Sequence, residues 1–130
     1  MPEPAGTLLL ALTVLMVKHT VADFLVQTPY QYLNKGTYGH PGGLLHAGIH
    51  SVLTLPVFFV LTPKVTSLIP ALVACEFFIH YHVDWLKEQA VKRGGWEPDT
   101  APFWWALGID QLAHMLTYLA MVAILMTYAA

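Results

Sequence analysis

The sequence predicts an all-α integral membrane protein, a bundle of four transmembrane helices running up-down-up-down. Three observations carry that expectation. Of the 130 residues, 56% are hydrophobic and only 11% charged, with a mean hydropathy of +0.56, whereas a water-soluble domain carries about 25% charged residues. The apolar residues gather into four stretches long enough to cross a hydrocarbon core at 1.5 Å of rise per residue, set apart by proline, glycine and polar residues. Inside those stretches, ionisable residues recur in i, i+4 pairs, which suits the polar centre of a bundle.

Read in order, residues 1–130 form a single transmembrane domain with helices over about 6–27, 44–61, 65–87 and 103–128. The start, Met1 to Gly6, lacks the positive n-region and cleavage site of a signal peptide, so the first apolar stretch is expected to stay. Pro29 stops helix one, and the connection Thr28–Gly43, with Tyr30, Tyr32 and Tyr38 among Pro, Gly and Asn, suits an interfacial loop. Pro56 should kink helix two. The short turn Thr62-Pro63-Lys64 makes helices two and three an antiparallel hairpin, and Pro70 falls near the start of helix three, where proline costs least. A polar stretch from Glu88 to Pro102 leads to helix four, with Trp96, Trp104 and Trp105 at its entry interface. Lys35, Lys87, Lys92 and Arg93 lie in the first and third connections and only Lys64 on the opposite side, so those connections are expected to be cytoplasmic and the termini periplasmic.

The polar residues point to the chemistry. Glu76, His80 and Asp84 line one face of helix three; His19/Asp23, His46/His50 and Asp110/His114 repeat the same spacing on the other three helices. By position along each span, all four pairs fall in the leaflet nearer the first and third connections. Facing helices that present i, i+3 or i+4 ligands hold metal ions in di-metal bundles. The candidate metal ligands are therefore His19, Asp23, His46, His50, His80, Asp84, Asp110 and His114, a nitrogen and oxygen set that suits Zn²⁺ first and Fe²⁺ or Mn²⁺ next. Eight ligands serve either two ions or one ion with an outer ring of orienting groups. Asp23, Asp84 and Glu76 are the candidate general bases, and Lys18, Gln27, Lys35, Lys87 and Gln111 the candidates for holding a substrate or head group. His82 projects to a different neighbour from His80, and His40, in a Gly/Pro loop, is expected to face solvent. Cys75 is the single cysteine and forms neither a disulfide nor a thiolate site. A net charge of −2 without a basic run gives no support for nucleic acid, and no G-x-S-x-G elbow supports serine chemistry.

His19 with Asp23-Phe24-Leu25 and Gln27, Lys35, the His46/His50 pair, Asp84 with Lys87, and Asp110-Gln111 with His114 together resemble domain of unknown function family 3307, small bacterial and phage membrane proteins. The resemblance covers nearly the whole chain. It implies a small helical protein of the bacterial inner membrane, in some cases phage-encoded, with these polar positions as its signature, and it brings no assigned activity with it. Three functions stay open: a metal-dependent hydrolase acting on a lipid-like or other membrane substrate, a divalent cation or proton transporter subunit, and a non-catalytic structural or regulatory module. Expected partners are membrane lipid, further copies of the chain or another membrane protein. The apolar far half of each span weighs against transport.

Overall fold

The computed structural model describes residues 4–128; the terminal residues, whose side of the membrane the lysine distribution addresses, lie outside them. The described chain is helical, with no strand among its elements: α1 (Pro4–Thr20) continuing into a π-helical turn (Val21–Leu25), α2 (Pro29–Tyr32), α3 (Pro41–Thr54), α4 (Val57–Val60), α5 (Leu68–Gly94) and α6 (Ala101–Tyr128).

Local chemistry explains the breaks. At the end of α1 the Val26 N–H donates to Val21 O at 3.0 Å, five residues back, so the helix widens by one residue around Asp23. An uninterrupted α-helix to Gln27 is thus corrected: regular geometry stops at Thr20 and the widened turn at Leu25. α2 is a single turn opened by Pro29 within the expected loop. The side chain of His40 accepts from Gly42 N at 3.0 Å and Pro41 fills the first helical position, so α3 begins three residues earlier than the hydropathy suggests and His40 is half-buried as its cap, not solvent-facing. Gly42 matters for its lack of a side chain: a Cβ there would sit 2.2 Å from Tyr30 O, so only glycine lets α2 lie against α3. Pro56, without an N–H, separates α3 from α4. The connection to α5 spans residues 61–67, longer than the expected three-residue turn. α5 then runs seven residues past Lys87, because Glu88-Gln89-Ala90-Val91-Lys92-Arg93 favours helix. Gly95, at φ +60°, ends it, with its N–H on Lys92 O and that of Trp96 on Val91 O.

Three segments, Ala5–Leu25, Pro41–Val60 and Ala101–Tyr128, are long and apolar enough to cross a membrane. The fourth expected span, α5, has the length but not the apolarity, since Glu76, Asp84 and Lys87 interrupt it. Contacts of α1 with α3 and α6, and of α5 with α3 and α6, close the assembly around a common interior. That interior has two halves. Ala11, Leu15, Val57, Phe58, Leu61, Leu72, Met121, Val122 and Leu125 pack as an apolar core at one end. At the other end the buried side chains are His, Asp, Lys and Gln, while Leu25, Phe59 and Ile109 on the outside are 73%, 88% and 69% exposed. Polar groups inside and large apolar groups outside suit hydrocarbon surroundings better than water.

Candidate metal centre

Asp23 is the hub of the polar half. The widened turn leaves its side chain buried between α1, α3 and α6. Its Oδ1 lies 3.0 Å from both His46 Nε2 and His50 Nε2; its Oδ2 lies 3.1 Å from His19 Nε2 and accepts from Gln111 Nε2 at 2.9 Å. A second carboxylate completes the centre from α5. Asp84 Oδ2 is 3.3 Å from His46 Nε2 and 3.5 Å from His80 Nε2, and Asp84 Oδ1 is 3.2 Å from His114 Nε2. His46 and His80 oppose each other Nε2 to Nε2 at 3.3 Å. The rings of His50, His80 and His114 follow one another at centroid separations of 3.8 and 4.0 Å.

Two ligand groups emerge, Asp23/His46/His50/His80 and His80/Asp84/His114, in each of which the ligand atoms lie within 4.8 Å of one another. They share His80. Ligand atoms around a tetrahedral ion at about 2.0–2.1 Å stand about 3.3 Å apart, the same spacing as the contacts above, so these buried His/Asp groups could hold a metal ion. The remaining two expected ligands stand at the edge: Asp110 Oδ1 is 3.5 Å from His114 Nε2, and His19 binds Asp23 and Gln111. Asp110 Oδ1 is buried with no hydrogen bond beyond that long approach to His114, whereas Asp84 Oδ2 is ion-paired with Lys35 at 3.1 Å. An unsatisfied buried oxygen costs roughly 1–3 kcal/mol in a dry interior, a cost a bound cation would remove.

The outer contacts hold the imidazoles in place. Gln31 Oε1 faces His46 Nδ1 at 3.3 Å and the Tyr118 hydroxyl faces His19 Nδ1 at 3.0 Å, leaving Nε2 of each ring directed inward. Sequence reasoning passed over both. Gln31 sits in a loop-like stretch with no periodicity, and Tyr118 reads as an ordinary apolar residue one turn beyond His114. Their only signal is polarity at a position that the packing buries.

The other expected site residues divide. Lys35 is buried, 3.1 Å from Asp84 and 4.0 Å from Asp23, so it is part of the centre and not a solvated loop cation; it drops out of the lysine distribution used for orientation. Gln111 joins Asp23 to Asp110, donating to the latter at 3.1 Å. Lys18 and Glu76 form their own buried ion pair, with Lys18 also donating to His50 O at 3.0 Å and lying 4.5 Å over the Tyr118 ring. Glu76 is outside both ligand groups. Gln27 donates to Asp23 O as a local helix-end bond, and Lys87 pairs with Glu88. His82 turns away to the Tyr38 hydroxyl at 3.0 Å. An opening of about 80 Å³ leads in between Gln27, Tyr32, Lys35, Lys87 and Glu88 and reaches Asp23, Asp110 and Gln111.

A family model described as "Protein of unknown function (DUF3307)" matches residues 11–130, nearly the whole chain, and the chain belongs to that family. No curated protein and no solved structure matches it.

Proposed function

We propose that this member of the DUF3307 family is a four-helix, up-down-up-down membrane bundle that binds one divalent cation in its cytoplasmic-side leaflet. The fourth span in this reading is α5, whose charged face is turned inward against α3 and α6. The observation that carries the reading is charge. Asp23, Glu76, Asp84 and Asp110 are buried against only two buried lysines, Lys18 and Lys35, and the histidines between them must be neutral to ligate a metal. Two negative charges remain, and in a low-dielectric interior they need a partner. One divalent ion supplies it, whereas two ions would overshoot. Zn²⁺ suits the ligands best, with Fe²⁺ or Mn²⁺ as alternatives.

Access supports a catalytic role. When bound, the ion supplies Lewis-acid activation of water or of a phosphoryl or carbonyl oxygen, which supports a hydrolase acting at the membrane. Among the carboxylates, Asp23 and Asp110 border the polar opening, while Asp84 and Glu76 do not. Asp23 is engaged by three histidines and Gln111, so Asp110 is the better proton acceptor for an entering group. A second reading rests on the same four buried carboxylates and two buried lysines: two of the histidines, protonated, would also balance the charge and give a metal-free proton relay.

Elemental analysis of protein purified without added metal separates the two. About one divalent ion per chain is expected, with melting in detergent lowered by a chelator and restored by the ion. No bound metal, together with melting indifferent to Zn²⁺, Fe²⁺ and Mn²⁺, would overturn the metalloprotein reading.

A further inference from the structure

Two buried oxygens that accept from no donor belong to side chains on the polar opening, Asp110 Oδ1 and Gln27 Oε1. Asp110 is only 4% exposed, and its Oδ1 has nothing nearer than the 3.5 Å approach of His114 Nε2. Gln27 gives its amide nitrogen to Asp23 O at 2.7 Å. A carbonyl oxygen can be met only by the N–H₂ end of that amide, so the acceptor end is fixed on the other side. The ammonium groups that share the opening are committed elsewhere: Lys35 lies 3.1 Å from Asp84 and 4.0 Å from Asp23, and Lys87 pairs with Glu88. Around the opening, the carboxylates of Asp23, Glu88 and Asp110 outnumber those two lysines.

The surplus charge is negative and the unmet groups are acceptors, so an anion finds no free donor among these side chains, whereas a cation meets both needs at once. Water alone would satisfy the oxygens and leave the charge. We propose that the opening is the loading site of the metal centre, where a divalent cation first trades water for Gln27 Oε1 and the Asp110 carboxylate before it moves inward. The space of about 80 Å³ takes an ion with a couple of waters, a water's share of the liquid being about 30 Å³. The onward route is short. Asp23, on the opening, belongs to one ligand group, and Asp110 stands beside His114 of the other. Amide and carboxylate oxygens suit Zn²⁺ and Fe²⁺ less well than imidazoles do, so the ion is held loosely at the opening and firmly at the centre.

The inference rests on the metal-centre reading and adds a site outside both ligand groups. The test is stopped-flow uptake of Zn²⁺ by metal-stripped protein in detergent, read with a fluorescent zinc chelator, with Kd from equilibrium dialysis and melting measured on the same samples. Gln27→Leu takes an oxygen from the route and none from the centre, so uptake and release should each slow several-fold with Kd as in the parent. Glu88→Gln should slow uptake and Lys87→Gln should speed it, each several-fold, and both effects should shrink as salt is raised. Zn²⁺ bound by the parent, with uptake indifferent to all three variants, would overturn the inference and leave the centre intact. A Kd weakened in Gln27→Leu as much as uptake is slowed would make Gln27 a mere support of Asp23 and would overturn its loading role. A parent that binds no Zn²⁺ at dialysis equilibrium would overturn the centre and the loading site together.

Discussion

Asp84→Asn offers the sharpest test of the charge argument, because the reasoning requires its effect to change sign with metal. The carboxylate lies within 3.5 Å of His46, His80 and His114 and 3.1 Å from Lys35. Asparagine keeps the volume and one acceptor oxygen but removes a negative charge and a ligand atom. Loss of even an outer-ring partner of a metal site weakens binding about 10–100-fold. With the ion held at 100 times the parent's Kd, binding stabilises the parent by about 2.7 kcal/mol. A 100-fold weaker variant keeps only ~0.4 kcal/mol, so it should be destabilised by ~2.3 kcal/mol in metal. In chelator the comparison reverses: the excess of two buried negative charges falls to one, which relieves repulsion between the carboxylates, while Lys35 keeps Asp23 as a partner at 4.0 Å. The measurement is thermal unfolding of parent and variant in the same detergent, each with chelator and with Zn²⁺. A shift of the same sign and size under both conditions would refute the reasoning and favour polar groups that merely join helices, since an amide bridges helices about as well as a carboxylate.

The outer contacts give two linked expectations. Gln31→Leu leaves His46 Nδ1 without its acceptor and should weaken metal binding about 10–100-fold in a chelator competition, with no direct ligand lost. Gly42→Ala, which drives a Cβ against Tyr30 O, should lift α2 and produce a loss of similar size; combined with Gln31→Leu it should add little, because both act on the same contact. Full additivity in the double variant would separate the two effects. Acidification from pH 7 to 5 should release the ion, because ligating imidazoles must be neutral and protons compete for the same Nε2 atoms; metal retention measured after dialysis at each pH checks this.

The sequence displayed the residues of this centre better than their surroundings. An i, i+4 pair is a local property, so His46/His50 and Asp110/His114 stand out in any apolar stretch, and their arrival in one interior follows from helices that must each turn a polar face away from lipid. Lys35 and Gln31 obey no such rule. They reach the centre because α2 folds back on α3 at Gly42, a tertiary approach that no periodicity encodes. The widened turn at Val21–Leu25 was hidden for a related reason: the backbone departs from regular geometry around a carboxylate held by four side chains, and nothing in Val-Ala-Asp-Phe-Leu itself opposes an ordinary α-helix. Glu76 was legible as a polar position but not as the partner of Lys18, since the pairing joins two helices whose relative rotation only packing fixes.

The apolar shortfall of α5 bears on how the protein is made. A charged residue at the middle of a lone inserting helix opposes partition by about 2.5–3.5 kcal/mol, so α5, with Glu76, Asp84 and Lys87, is poorly equipped to leave the translocon unaided. Its counterparts are already waiting. Lys18, which receives Glu76, and Lys35 and His46, which receive Asp84, all precede it in the chain. Asp23, His46 and His50, three of the four ligand residues in one group, do so too. In the proposed four-span bundle the first half of the chain would therefore be a receptacle assembled during synthesis, able to draw α5 sideways into the bilayer before α6 emerges. Inserting α6 last brings His114 and Asp110 and closes the centre. On that reading order along the chain would become order of assembly, with the least lipid-soluble helix admitted only after its partners.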